Sequence, residues 1–221
     1  MTPTQYRASL LDLSPVLPGG QPYDVATSGR DINDVTLDRE TWLHLLAMLD
    51  DQYPQRVIQI GSGGGRWTRR LAQIAAHMLC VDQASRSQAH IDALHLSVPI
   101  MHYHCRHWSL PTRPGSPLHE TFDLAIALDV YPYAQQYEII PSIQATTDAL
   151  RPGGLSVIQI GTLCRQTATM PVDTTGMWQY REITWIEHVI HNAGLDIIHR
   201  LYETEGYGSV VIFARKRGAS S

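Results

Sequence analysis

The chain has 221 residues, of which 43% are apolar and 17% charged, and its formal net charge is −4. This length suits one domain with a buried core, and the composition is ordinary for a globular protein. The acidic balance argues against a nucleic-acid interface, which would need a basic surface, and no apolar stretch is long enough to cross a membrane. Neither nucleic acid nor a membrane is therefore expected as a partner.

The cysteine content and the amino-terminal residues indicate the cellular setting. The three cysteines, Cys80, Cys105 and Cys164, form no CxxC pair, so neither a disulfide framework nor a zinc cluster is indicated. Residues 1–20 lack a basic region followed by a long apolar core, so we expect no signal peptide. A reducing, cytoplasmic setting follows as the expectation.

The first 36 residues differ in composition from the rest of the chain. They are rich in Pro, Gly and Ser and carry scattered apolar residues such as Tyr6 and Tyr23. This pattern predicts an arm or lid with little regular structure, and a partly disordered leader fits it equally well. The predicted organisation is an arm over 1–36, a globular domain over 37–217 and a tail over 218–221.

From Leu37 onward, helical and strand patterns alternate along the chain. Periodicity predicts helices over 37–54, 66–77, 87–96, 139–150 and 182–192. It predicts strands over 57–60, 78–81, 99–104, 122–128, 155–160, 195–202 and 209–214. Pro141 is expected in the first turn of the fourth helix, where a proline is tolerated.

This order of elements predicts an α/β fold. Five β/α units followed by two strands indicate a Rossmann-like, doubly wound sheet of about seven strands. The sheet should be mostly parallel, and because no helix separates the last two strands, they should form a C-terminal antiparallel hairpin. The connection over 161–181 is longer than most, so it is either functional or mobile.

A glycine-rich turn follows the first strand. The run Val57–Ile60 ends in Gly-Ser-Gly-Gly-Gly at 61–65, and a helical pattern begins at once. Such a strand–glycine turn–helix unit is where a Rossmann-like sheet receives an anionic or nucleotide ligand. Glycines allow a positive φ and a close approach by a ligand. A tight loop without a ligand can be equally rich in glycine. The segments downstream therefore decide whether the turn is interpreted as a ligand site.

Four segments carry a resemblance to a known family. In order they are IQIGSGGGRW (58–67), CVDQAS (80–85), FDLAIALDV (122–130) and LRPGGLSVI (150–158). Together they resemble the class I S-adenosylmethionine-dependent methyltransferases over residues 37–216. The resemblance implies S-adenosylmethionine as cofactor and methyl transfer to a small-molecule acceptor, with O-methylation ahead of N- or C-methylation.

The resemblance also implies a set of cofactor-binding residues. They lie in the glycine turn, at the end of the second strand, after the third strand and at the end of the fourth: Gln59, Gly61, Ser62, Gly63, Gly65, Asp82, Gln83, Arg106, His107, Trp108 and Leu128. Asp82 suits the ribose hydroxyls, because a carboxylate accepts two hydrogen bonds. Gln59 stands where the family often has an acid, and Trp108 is either a wall of the adenine site or a core residue.

The predicted catalytic residues follow the fourth strand. In relatives this loop faces the transferring methyl group, which makes Asp129 and Tyr131 the candidates. Asp129 is interpreted as a base or substrate anchor, or as a cap for the next segment. The acceptor is expected to be enclosed by the arm, through Tyr6 and Tyr23, and by four residues of the long connection: Met170, Met177, Trp178 and Tyr180.

Metal binding and two other functions are alternatives to this interpretation. His102 and His104 share a strand face near His107, but no Cys or carboxylate completes a ligand set, so no metal is expected. A nicotinamide dehydrogenase would need a third glycine where this chain has Arg66. A non-catalytic scaffold of the same fold, which binds S-adenosylmethionine, is the other alternative. The oligomeric state is left open, a homodimer included.

Overall fold

The computed structural model describes residues 36–49, 52–105, 108, 110–162, 179–203 and 208–218. The helices are α1 (Thr36–Leu49), α2 (Arg66–Leu71), α3 (Arg86–Asp92), α4 (Gln136–Ala149) and α5 (Ile183–Asn192). The strands are β1 (Arg56–Ile60), β2 (His77–Asp82), β3 (Ile100–His104), β4 (Phe122–Ala127), β5 (Leu150–Gly161), β6 (Leu195–Tyr202) and β7 (Ser209–Lys216).

The seven strands form one sheet in the order β3-β2-β1-β4-β5-β7-β6. Strands β1 to β5 pair in parallel, and β7 is antiparallel to both of its neighbours, β5 and β6. This confirms the predicted fold class. Strands β1 to β6 therefore end at one edge of the sheet, called the carboxyl edge below, and β7 starts there.

The central strands are apolar because both faces of the sheet are covered. Val57 faces a cluster that contains Leu37 and Leu45 of α1 and Trp67 of α2. Its neighbour Ile58 faces the opposite cluster, which includes residues of α4 and α5. Successive side chains of β1 thus alternate between two cores, as the period of a strand requires.

Helix α1 packs on the sheet near its β6 end. The imidazole rings of His44 and His199 stack with centroids 4.5 Å apart, and Phe213 lies beside them. Burial lowers the pKa of His199, and the neighbouring His44 and Arg200 lower it further. The stack is therefore favoured when His199 is neutral.

Several predicted boundaries were wrong. Helix α2 ends at Leu71, and turns lead into β2, which already includes His77. Helix α3 ends at Asp92, four residues before the predicted end. Strand β5 begins at Leu150, five residues before the predicted start, because Leu150 already pairs with Phe122 of β4. Residues 151–154 then bulge out of this pairing, which resumes at Leu155.

Helix α4 begins five residues before Pro141, which therefore lies inside the helix and not in its first turn. The Glu138 carboxylate accepts a hydrogen bond of 2.8 Å from the Gln135 N–H, which stabilises an earlier helix start. Pro141 is exposed, so its ring contacts few other atoms on the outer side of the helix.

In the part of the chain that the structure describes, no helix is long and apolar enough to cross a membrane.

The position of Pro141 leads to a stability prediction. Pro141→Ala should raise the free energy of unfolding by about 1–2 kcal/mol, because Ala supplies an N–H for the Tyr137 carbonyl and removes the ring. Urea denaturation measures the change. Gln144→Ala, at another exposed position of α4, is the control and should change stability by only a few tenths of a kcal/mol. A destabilised Pro141→Ala protein would contradict this account of α4.

Candidate functional site

The order of strands creates a crevice at the carboxyl edge. Strand β1 lies between β2 and β4, so the chain leaves β1 toward one side of the sheet and later continues from β4 toward the other. The ends of β1 and β4 are paired through Ile60 and Ala127. In open α/β sheets, ligands bind at such a switch point. The glycine turn, residues 61–65, and the segment after β4 border this crevice.

The glycines of the turn are required by its geometry. Gly61, Gly63 and Gly65 all have positive φ, at 72°, 49° and 88°. A Cβ on Gly61 would collide with the side chain of Val130, which follows β4. Gly61 thus allows the turn after β1 and the segment after β4 to approach each other closely.

Asp82, at the end of β2, is bonded to the glycine turn. Its Oδ2 accepts a hydrogen bond of 2.8 Å from the Gly63 N–H and one of 3.3 Å from the Ser62 hydroxyl. Its Oδ1 accepts one of 2.9 Å from the Ala84 N–H. Because each carboxylate oxygen can accept two hydrogen bonds, Oδ1 retains capacity for a ligand hydroxyl.

A cleft of about 150 Å³ adjoins Asp82. It is lined by Ser62, Cys80, Asp82, Ala84, Ser85, Ser87, Gln88, His102, Tyr103 and His104. Next to Asp82, the Gln83 side-chain nitrogen is buried without a hydrogen-bond partner, so a polar donor there is left for a ligand. Burial raises the pKa of the Cys80 thiol to about 12, which makes it unreactive near neutral pH.

Two predicted cofactor residues have buried side chains. Gln59 is 3% exposed, and its Oε1 accepts a hydrogen bond of 2.7 Å from the Thr68 hydroxyl of α2. Alternation along β1 explains this, because Gln59 shares the face of Val57, against which α2 packs. The side chain of Leu128 is buried in the same cluster.

Tyr131 is also buried, with 1% of its surface exposed. Its hydroxyl lies 2.7 Å from the Ser142 hydroxyl of α4, and burial raises its pKa to about 12. The phenol hydroxyl thus contacts α4, and a catalytic role for Tyr131 stays a prediction. Trp108 is partly buried and packs against the core, while Arg106 and His107 lie outside the described residues.

Asp129 belongs to a charged cluster at the crevice. It lies two residues after the end of β4 and has a φ of 57°. Its side chain is 41% exposed. Arg66, the first residue of α2, bonds through Nη2 to Asp129 Oδ2 and lies through Nη1 2.8 Å from Asp38 Oδ2. One guanidinium therefore bridges α1 and the segment after β4.

Asp38 is the most perturbed carboxyl of this cluster. It is 4% exposed, and burial raises its pKa to about 7. The value of about 7 also includes the charges of Asp129 and Glu203, which raise this pKa, and that of Arg66, which lowers it. Although Arg66 is close, Asp38 Oδ2 has no hydrogen bond of good geometry.

A chain of hydrogen bonds extends from Asp129 across the ends of β5, β7 and β6. The Asp129 N–H donates to Gln159 Oε1 at 2.8 Å, and Gln159 Nε2 donates to the Ser209 hydroxyl at 3.2 Å. That hydroxyl donates to Glu203 Oε2 at 2.9 Å. Burial raises the pKa of Glu203, as does the charge of Asp129, and the Ser209 hydrogen bonds oppose the rise.

Sequence reasoning missed Asp38, Arg66 and Glu203 as members of the site. Asp38 lies in the first turn of α1, where an acid is common, and Arg66 was interpreted only as a departure from a dinucleotide motif. The available signal was position, because Arg66 directly follows the glycine turn and Glu203 directly follows β6.

The long connection begins and ends at the carboxyl edge. Thr162 pairs with Arg181 in a parallel bridge. The Arg181 guanidinium donates to the carbonyl oxygens of Tyr131, Ala134 and Gln179. Both ends thus adjoin the segment after β4. The residues expected to enclose an acceptor, Tyr6, Tyr23, Met170, Met177 and Trp178, lie outside the described residues, and Tyr180 is half-buried.

The histidines of β3 form no metal centre with their neighbours. His102 Nε2 lies 3.2 Å from Asp92 Oδ1, and His104 is exposed. Within the described ranges, no group of three or more His, Cys, Asp or Glu residues is arranged to hold a metal ion.

Comparison with solved structures identifies the fold. The chain is similar to the N-methyltransferase NodS from Bradyrhizobium japonicum in complex with S-adenosylhomocysteine, with a TM-score of 0.66 and 16% identity over 96% of this chain and 97% of that one. It is also similar to the Burkholderia thailandensis 1,6-didemethyltoxoflavin-N1-methyltransferase with both its namesake compound and S-adenosylhomocysteine bound, with a TM-score of 0.68 and 17% identity over 99% and 92%. The [4+2]-cyclase SpnF matches with a TM-score of 0.59 and 15% identity over 75% of each chain.

These similarities show that the chain has the class I S-adenosylmethionine-dependent methyltransferase fold. No family model and no curated protein matches the sequence. At these identities the match concerns the backbone arrangement, and SpnF demonstrates that a protein named for other chemistry shares it.

The contact between Gly61 and Val130 leads to a second prediction. Gly61→Ala should destabilise the protein by about 1–3 kcal/mol more than Gly153→Ala, because both add a Cβ at positive φ but only the first collides with a neighbour. Thermal or urea unfolding measures both. Adding Val130→Ala should recover part of the Gly61→Ala loss, and equal losses at the two glycines would refute the close approach.

The burial of Tyr131 leads to a third prediction. Tyr131→Phe and Ser142→Ala should each lower the free energy of unfolding by about 1 kcal/mol, because each removes the same buried hydrogen bond. The double variant should lose clearly less than the sum of the two single losses. Strictly additive losses in a urea double-mutant cycle would mean that the two hydroxyls do not interact.

Proposed function

We propose that the protein transfers a methyl group from S-adenosylmethionine to a small-molecule acceptor. The observation that carries the proposal is the bonding of the Asp82 carboxylate to the glycine turn at the switch point of a class I methyltransferase fold. A turn with positive φ at three glycines and a carboxylate beside it can hold a nucleoside and its polar extension together.

The described residues fit this cofactor. Asp82 Oδ1 can accept a hydrogen bond from a ribose hydroxyl, and the unpartnered Gln83 nitrogen supplies a donor next to it. Gly61, Ser62, Gly63 and Gly65 provide the backbone surface of the turn. Gln59 and Leu128 contribute to the site by packing behind it, and Trp108 is proposed as a wall of the adenine side.

The chemistry asked of the protein is modest. When bound, S-adenosylmethionine supplies an electrophilic methyl group on a positively charged sulfur. The chain aligns the acceptor with that group and, where the acceptor is protonated, provides a base. Asp129, half exposed at the crevice and held by Arg66 and Gln159, is the proposed residue for orienting the acceptor.

The acceptor is proposed to be a small molecule methylated on oxygen or nitrogen. The sequence favours oxygen, whereas two of the similar structures are named N-methyltransferases, and one of them holds a small heterocyclic compound. We keep both atoms in the proposal. The arm over 1–36 and residues 163–178 are proposed to enclose the acceptor, since both ends of the connection reach the crevice. The free thiol of Cys80 fits the proposed cytoplasmic setting.

The alternatives have less support. A dehydrogenase would need a glycine at the position of Arg66, so that the backbone there can pack closely. The Arg66 side chain instead forms ion pairs with Asp38 and Asp129. A protein of this fold without methyl transfer has one specific observation in its favour, the similarity to the cyclase SpnF. Release of S-adenosylhomocysteine in the presence of a panel of phenols, alcohols and amines would separate this alternative from the proposal.

The fourth prediction tests cofactor binding. Titration calorimetry should detect micromolar binding of S-adenosylmethionine, and Asp82→Ala should weaken it by more than about tenfold through lost hydrogen bonds to the charged carboxylate. Asp196→Ala, which removes an exposed carboxylate at the start of β6, is the control and should leave the affinity unchanged. Absence of binding to the wild-type protein would overturn the proposed function.

A further inference from the structure

The Gln159 side chain continues the contact between β4 and β5 beyond the end of their backbone pairing. That pairing ends at Ala127 and Ile158. Gln159, the next residue of β5, is 5% exposed, and its Oε1 accepts a hydrogen bond of 2.8 Å from the Asp129 N–H. A side-chain amide thus supplies the acceptor for a backbone donor that lies past the end of the ladder.

Asp129 has a backbone conformation that needs such support. Its φ of 57° lies in the left-handed region, where the Cβ of an L-residue approaches the following carbonyl oxygen. Residues in this region persist when their surroundings fix them from several sides. Here Gln159 holds the N–H of Asp129, and Arg66 holds its carboxylate. The direction of the carboxylate at the crevice therefore depends on the backbone contact as well as on the ion pair.

The orientation of the Gln159 amide is determined at the far end of the chain of hydrogen bonds. An ionised carboxylate only accepts, so the Ser209 hydroxyl donates to Glu203 Oε2 at 2.9 Å. The Ser209 oxygen then accepts from Gln159 Nε2 at 3.2 Å. Because the NH₂ end of the amide is bonded to Ser209, the oxygen end faces the Asp129 N–H. Glu203 thereby determines which end of Gln159 meets the segment after β4.

We propose that Gln159 is a positioning residue for methyl transfer, which holds Asp129 in the left-handed conformation that directs its carboxylate to the acceptor side of the crevice. The inference rests on the proposed function, in which Asp129 orients the acceptor. Gln159 acts through the Asp129 backbone. Its loss should therefore impair acceptor turnover, while the cofactor contacts of Asp82 on the β2 side remain.

The fifth prediction tests the backbone contact in the full chain without any ligand. Gln159→Met keeps the length of the side chain but removes the amide, so the Asp129 N–H loses its acceptor. Amide hydrogen exchange at Asp129, measured by NMR, should become about tenfold faster or more, beyond any change at Ile126 within β4. Thr147→Val is the matched control, because it removes another buried hydrogen bond, from the Thr147 hydroxyl to the Ile143 carbonyl at 2.8 Å. It should leave exchange at Asp129 unchanged.

Turnover gives the second readout. Release of S-adenosylhomocysteine is measured with the compound of the phenol, alcohol and amine panel that the wild type methylates fastest. Gln159→Met should lower kcat/KM for that compound by about tenfold or more and change the Kd of S-adenosylmethionine by less than about twofold. Thr147→Val should match the wild type in both.

Two further variants follow the orientation of the amide. Gln159→Glu keeps a carboxyl oxygen that accepts from the Asp129 N–H, so slow exchange at Asp129 and most of the turnover should return. Glu203→Gln replaces an obligate acceptor by a group that can also donate to Ser209, so the Gln159 amide is no longer held in one direction. This variant should fall between the wild type and Gln159→Met in both measurements.

Each outcome decides the inference. Unchanged exchange at Asp129 in Gln159→Met would overturn it, and so would equal losses of turnover in Gln159→Met and Thr147→Val. A loss of S-adenosylmethionine affinity as large as the loss of turnover would also overturn it. If Gln159→Met does not fold, Ser209→Ala decides, because exchange at Asp129 that stays as slow as in the wild type contradicts the chain of hydrogen bonds. A wild type that does not bind S-adenosylmethionine overturns the proposed function, whereas the exchange measurement still tests Gln159.

Discussion

The Arg66 guanidinium joins the separate parts of the crevice on its β4 side. It extends from the first residue of α2 to Asp38 on α1 and to Asp129 after β4, three segments distant in sequence. Without this cation, Asp38 would be a buried carboxyl beside two further acids, an arrangement that costs several kcal/mol when ionised. The packing of α1 and the position of Asp129 therefore both depend on the Arg66 guanidinium. The net charge on this side of the crevice depends on it as well.

On the β2 side of the crevice, Asp82 joins separate segments as Arg66 does on the β4 side. Its carboxylate accepts hydrogen bonds from the turn that follows β1 and from Ala84 in its own loop. The two sides differ in their chemistry. Asp82 accepts hydrogen bonds from neutral N–H and O–H groups, whereas Asp38 and Asp129 share the Arg66 cation.

Much of the fold was predictable from local patterns, and the errors have definite causes. The apolar runs of β1, β4 and β7 and the glycine turn are features of neighbouring residues, and they predicted the sheet and the turn. Pro141 was misplaced because the Glu138 hydrogen bond begins α4 earlier than the proline rule suggests. Gln59 was assigned to the cofactor by family position, whereas the alternation along β1 already indicated that it faces the same side as Val57. The catalytic role of Tyr131 was predicted from its nearness in sequence to Asp129 and stays a prediction, and only the tertiary structure shows that its hydroxyl contacts Ser142.

The amino-acid sequence by itself determined the alternation of strands and helices, the positive-φ turn and the carboxylate at the end of β2, because these depend on periodicity and on short spacings. The tertiary structure decided which distant charges share one environment. Asp38 and Glu203 are separated by most of the chain, and only the packing of α1 beside the ends of β4 and β6 makes them influence each other. Ionisation depends on burial and on the distance between charges, and neither quantity is written in the spacing of residues along the chain.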